Sequence, residues 1–170
     1  MADNEIRDVF IVGLRNAHAM ENQALSIMKP QLSRIENYPE VAAKLEQHIR
    51  ETDGQIARLE EVLEGLGEDH STFKDMALSF TGAMTAMGHT MAGDEILKNS
   101  FANFAFENFE ISAYKSLLTV ANAGGFTAAM TAIQTNLAEE EAMAKWLDDN
   151  LAAVTRKFLM LREEGATAKV

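Results

Sequence analysis

The sequence contains no cysteine, which excludes disulfides, iron–sulfur clusters and thiolate metal sites. Proline occurs only twice and β-branched runs are scarce, so little interrupts a helix and little favours a sheet. Basic residues are in deficit, with 15 Lys and Arg against 26 Asp and Glu, a net charge of −11. Such a chain lacks the basic face needed for a nucleic-acid backbone or an anionic membrane surface. There is no run of 18 apolar residues, and no membrane span is expected. The opening MADNEIRDVF has neither a basic n-region nor an apolar h-region. We therefore expect no secretory leader and a cytoplasmic location. No glycine-rich phosphate loop, nucleophile motif or basic-aromatic patch occurs either.

What is present is helix-forming: alanine, leucine, methionine and glutamate, with 47% of residues apolar. Apolar spacing predicts four long helices in one domain over residues 1–164. The first spans about Asn4 to Ile35, with a stripe of Phe10, Leu14, Ala17, Leu25 and Met28 and a kink or early end at Pro30. The second starts near Pro39 and runs to about Leu66, with Leu45, Ile49, Thr52, Ile56, Leu59 and Leu63 inward and Gly65 and Gly67 closing it. The third covers Glu95 to Ala123. Gly124 and Gly125 reverse the chain, and the fourth runs from about Phe126 to Glu163. A shorter, methionine-rich helix is expected from Phe73 to Met91, and residues 165–170 are expected to fray. Two short turns and one long connection between the second and third helices predict an all-α, ferritin-like four-helix bundle with a crossover.

Two segments repeat. AMENQALS at 19–26 and AFENFEIS at 105–112 place Glu21 and Glu107 at equivalent points of the two hairpins. On a helical wheel Glu21 falls among Leu14, Ala17, Leu25 and Met28. Glu107 falls among Phe104, Ile111 and Leu118, with Glu110 and Tyr114 on its face. In the fourth helix Glu140, unlike Glu139 and Glu141, lines up with Ile133, Leu137, Ala144 and Leu147. Glu51 lies at the edge of the second helix's stripe, with His48 and Gln55 between it and the centre. At about 1.5 Å per residue, Glu21, Glu51, Glu107 and Glu140 share one depth to within roughly a turn. Buried carboxylates at one depth require an offsetting charge, shared protons or water. A divalent pair with oxygen ligands, iron or manganese, meets that need. His18, three residues before Glu21, is a candidate outer partner, His70 and His89 read as surface, and Trp146 reads as packing or interface.

The segments DVFIVGLRNAHAMENQ, HIRETDGQIARLEEV and FENFEISAYKSL resemble the YciE/YciF-type bacterial stress-protein family. The resemblance covers about residues 5–150. It implies a ferritin-like fold, a homodimer and a metal site, with Glu21, His48, Glu51, Gln55, Glu107, Glu110 and Glu140 as matching polar positions. Two departures stand out. The general di-iron pattern has Glu-x-x-His on two helices, whereas Gly54 follows Glu51 by three and Met143 follows Glu140 by three. Where the family often has an acidic residue, this chain has Ala144.

The expectation is a carboxylate-rich metal site: Glu51 and Glu140 bridging, Glu21 and Glu107 terminal, Glu110 an added or switching carboxylate, and His48 the nitrogen donor. Iron or oxidant handling would follow. The alternative is a non-enzymatic structural or stress protein acting as a dimer around a metal-free polar core. In that case Glu107→Gln and Glu140→Gln would leave stability unchanged or raise it.

Overall fold

The computed structural model describes residues 2–68 and 93–170. Four α-helices, and no strand, occur among the described residues: α1 (Ala2–Leu32), α2 (Pro39–Gly65), α3 (Glu95–Ala123) and α4 (Thr127–Glu163). The short helix expected at Phe73–Met91, with His70 and His89, lies outside the described residues.

The helix ends follow local chemistry. Pro30 sits inside α1, which stops at Leu32, earlier than the expected Ile35. The chain there tightens into bonds from Arg34 N–H to the Gln31 carbonyl and from Ile35 N–H to the Leu32 carbonyl. Pro39 opens α2, where its missing N–H costs nothing. Gly67 ends α2 at φ 75°. The N–H of Glu68 reaches the Leu63 carbonyl at 3.0 Å and that of Gly67 the Glu64 carbonyl at 2.9 Å, a Schellman closure. The α3–α4 turn repeats the device, with Gly125 at φ 70°. Beside it, a Cβ on Gly124 would lie 2.3 Å from the Phe126 ring. That ring stacks on Phe10 at 4.5 Å and fastens the turn to α1.

The hairpins α1–α2 and α3–α4 associate through α1 against α3 and α2 against α4. Cross-links fix the directions. Asn103 bonds Gln31 while Tyr114 bonds Glu21, so α1 and α3 are antiparallel. Arg58 bonds Asn136 while Lys157 pairs with Glu40, so α2 and α4 are antiparallel. The end of α2 and the start of α3 therefore lie at opposite ends of the bundle, as a long crossover requires. The core holds Phe10, Leu14, Met20, Leu45, Leu59, Leu63, Ile133 and Met143, each almost wholly buried.

Two expectations need correction. The buried face of α3 is Asn103, Phe106, Glu107, Glu110, Tyr114, Leu117 and Ala121. Phe104, expected inward, is 39% exposed. The helix carries apolar side chains around most of its circumference and polar ones inside, so hydrophobicity alone misplaces its face. The tail also differs from the frayed end expected at 165–170. Ala168 and Val170 are buried. Tyr38 Oη–H donates to the Ala168 carbonyl at 2.7 Å, Asn37 N–H to the Val170 carbonyl and Ile96 N–H to the Lys169 carbonyl. Lys169 pairs with Glu95, whose other partner is Arg34. The tail thus ties together the starts of α2 and α3 and the end of α1.

Candidate metal centre

Each helix sends polar side chains to one level of the core. From α1 comes Glu21, from α2 His48 and Gln55, from α3 Glu107, Glu110 and Tyr114, and from α4 Asn136 and Glu140, all buried. On α3 and α4 the positions recur at three or four residues, which keeps them on one face.

The centre of the cluster is His48. Its Nε2 lies 3.2 Å from Glu107 Oε2 and 3.4 Å from Glu140 Oε2, and makes a properly angled hydrogen bond with neither. Among the described residues these three form the group of potential metal ligands, with one donor atom from each within 4.8 Å of the others. Its Nδ1 lies 3.1 Å from Glu51 Oε2. Glu51, 24% exposed at its side chain, also accepts from Gln47 at 2.7 Å. It therefore stands behind the imidazole, on the side away from Glu107 and Glu140, and not between two ligands as a bridge would. The rotation of α2 decides this: His48 and Thr52 take the inward positions and Glu51 the rim.

Glu21 and Glu110 adjoin the trio, close enough to Glu140 for like-charge repulsion to matter. Tyr114 Oη–H donates to Glu21 Oε1 at 2.5 Å. The remaining Glu21 oxygen, both oxygens of Glu110 and of Glu140, Glu107 Oε2, Gln55 Oε1 and His48 Nε2 have no hydrogen-bond partner. Buried polar atoms are normally satisfied, and orphaned acceptors gathered at one point are what a bound cation would satisfy.

The electrostatics agree. Burial first, and then the Glu140 charge, hold Glu21 well above the usual carboxylate range. Burial likewise raises Glu110, reinforced by Glu21. Glu107 is pushed by burial up to about 8. Glu140 goes the other way: burial pushes it up, but the His48 ring and the Glu107 carboxyl outweigh that and hold it low. For His48, burial disfavours the charge, yet the carboxylates of Glu107, Glu140 and Glu51 raise it well above an ordinary histidine. Without a cation, the cluster is reconciled by retained protons.

A second network lies beside the first. Arg58 Nε donates to Asn136 Oδ1 at 2.6 Å, and Asn136 Nδ2 donates to the Tyr114 hydroxyl at 3.0 Å and the Gln55 carbonyl at 3.4 Å. Arg58 also pairs with Glu139, which accepts from Gln55 at 3.0 Å. The guanidinium occupies the space over Gly54, where a Cβ would lie 3.4 Å from it. Asn136 and Arg58 were not anticipated, although Asn136 stands one turn before Glu140. His18 Nε2 lies 3.0 Å from Glu60 Oε1. Trp146 is half-buried and packs on the core.

A family model described as a domain of unknown function (DUF892) matches residues 5–160. The chain belongs to the DUF892 family. The likeness extends to single proteins. Protein YciF of Escherichia coli is 28% identical over 145 residues, spanning 81% of this chain and 84% of YciF. A crystal structure of that protein, described as a stress protein, matches with a TM-score of 0.73 at 26% identity, over 86% of this chain and 94% of the other. The crystal structure of a Xanthomonas campestris protein matches with a TM-score of 0.78 at 30% identity, over 93% of this chain and 99% of the other. These structures match the fold of this chain over most of their length. No described helix of this chain is long and apolar enough to cross a membrane.

Proposed function

We propose that the bundle core is a divalent-metal site of a ferritin-like stress protein, with iron or manganese as its ion and iron or oxidant handling as its role. The observation that carries this is the set of orphaned acceptors on Glu21, Glu107, Glu110 and Glu140 around His48 Nε2. The spacings of 3.2 and 3.4 Å about that nitrogen match edges of a coordination polyhedron with metal–ligand bonds of about 2.1 Å.

His48, Glu107 and Glu140 would hold one ion, and Glu21 and Glu110 would supply oxygens for a second beside Glu140. Glu51 is reassigned from bridge to outer partner. By accepting the His48 Nδ1 proton it leaves the Nε2 lone pair pointing at the carboxylates, the carboxylate–histidine arrangement of metal sites. Bound iron or manganese would supply one-electron redox chemistry. The chain's own contributions are to exclude water and to release the protons held on Glu21, Glu107 and Glu110 when positive charge enters. Dioxygen or peroxide handling is the finer part of the reading and rests on the donor set and the family likeness.

The test is metal analysis of protein from iron- or manganese-supplemented cells, followed by titration of the stripped protein. At least one equivalent bound supports the reading. Less than about a tenth of an equivalent, with none taken up on addition, sinks it.

A further inference from the structure

The Arg58–Asn136–Tyr114–Glu21 series has a direction that chemistry alone determines. A guanidinium can only donate, so the Asn136 atom facing Arg58 Nε is its carbonyl oxygen. The Asn136 amide nitrogen must then face Tyr114 and the Gln55 carbonyl, and it has two hydrogens for these two acceptors. The Tyr114 oxygen is therefore an acceptor from Asn136. Its own single hydrogen is left to point at Glu21 Oε1, where the contact is 2.5 Å. Glu21 Oε1 is thus committed as an acceptor, and Oε2 is left buried and unpartnered.

We infer that Tyr114 is a positioning residue for metal binding: oriented from the bundle surface by Arg58 and Asn136, it fixes the Glu21 carboxylate so that one oxygen is held by the phenol and the other is presented to the cation. This rests on the metal reading above and adds an outer arm to it. The arm begins at the Arg58–Glu139 pair, whose side chains are 27% and 23% exposed, and ends in the core. Glu139, which also accepts from Gln55, gains a role in anchoring Arg58. The guanidinium lies beside Gly54, where a Cβ would come into van der Waals contact with it at 3.4 Å.

Two variants test the arm. Tyr114→Phe removes only the hydroxyl. Asn136→Asp keeps the shape and the Arg58 contact but turns the donor facing Tyr114 into an acceptor, which draws the phenol hydrogen away from Glu21. Both should weaken Mn²⁺ binding about 10-fold or more, the range for partners of metal ligands. In a Glu21→Gln background, Tyr114→Phe should add little. A purely packing role for Tyr114 predicts additive losses instead, and additivity overturns the inference. A second measurement needs no metal. The chain has two tyrosines, so in a Tyr38→Phe background the ultraviolet resonance Raman signal belongs to Tyr114. It should report a strong phenol donor that weakens on Glu21→Gln, whereas Asn136→Asp should leave a donating phenol whose signal no longer responds to Glu21→Gln. A phenol that reads as non-donating overturns the inference. Wild-type protein that binds neither Mn²⁺ nor iron overturns the metal reading and this inference together. Tight wild-type binding with unchanged affinity in both variants overturns this inference alone.

Discussion

The Nδ1 of His48 lies 3.1 Å from a carboxylate oxygen of Glu51, while the opposite ring nitrogen faces Glu107 and Glu140. A ligand and an outer partner respond differently to mutation. Glu51→Gln should weaken metal binding by about 10–100-fold yet leave the number of ions bound unchanged. Calorimetric titration measures both quantities. A lost equivalent would return Glu51 to the bridging role.

The retained protons predict how stability varies with pH. Glu107 titrates near 8 in the folded chain against about 4.5 unfolded. Between those values the native state binds more protons than the unfolded one, so stability falls as pH rises. The upward shifts of Glu21, Glu110 and His48 have the same sign. For His48 the contribution is complete below about 6.5 and is lost as pH climbs through its raised value. The lowered Glu140 acts oppositely, at the acid end. Metal-stripped protein should therefore lose melting temperature from about pH 5 to 8. With Mn²⁺ present the trend should flatten or reverse, because a cation binds the deprotonated ligands. Thermal melts at several pH values, with and without metal, decide it.

Glu107 and Glu140 are predicted to behave unlike each other when neutralised. Glu107→Gln removes a carboxyl whose charge the core resists, so the stripped protein should keep or gain stability, by about 2–4 °C for each kcal/mol. Glu140→Gln removes the carboxylate that the His48 ring holds ionised, and should lower the melting temperature. Both should abolish stabilisation by metal. Equal gains in both, with no metal effect in the wild type, would favour a structural protein with a metal-free core.

Deleting residues 167–170 should destabilise the bundle without touching the metal cluster. The buried Tyr38 hydroxyl would lose its acceptor and Glu95 would lose Lys169. One unsatisfied buried group costs about 1–3 kcal/mol, so denaturant unfolding should show a fall in unfolding free energy of about that size. Metal affinity should stay as in the full chain. Stability identical to the full chain would show that the tail contacts contribute nothing.

The four long helices, their hairpin pairing and the depth of the carboxylates were legible because they depend on period and turn chemistry alone. Pro39, Gly67 and Gly125 sit where a helix start or a left-handed turn needs them. Glu21, Glu107 and Glu140 stood out because each interrupts an apolar stripe. The face of α3 was harder to read, since its inward side is partly polar and Phe104 lies outside. The role of Glu51 depends on a rotation of α2 by a fraction of a turn, which a wheel does not resolve. Asn136 and Arg58 gave no signal, since a polar residue next to a predicted ligand is also what an exposed helix flank looks like. The docked tail could not be read from a short terminal segment whose partners lie far off in sequence, Asn37 and Tyr38 by 130 residues and Ile96 by 73.

The guanidinium lying over Gly54 has a consequence for ancestry and redesign. In the general di-iron pattern this position carries the histidine of Glu-x-x-His, but here even a Cβ would touch Arg58 at 3.4 Å. An imidazole grafted at 54 would extend beside the guanidinium, and any displacement of Arg58 would release Asn136 and then the phenol that holds Glu21. The two ways of building this corner compete for one volume. A substitution at 54 that moves Arg58 would thus lose one support before it gains the other.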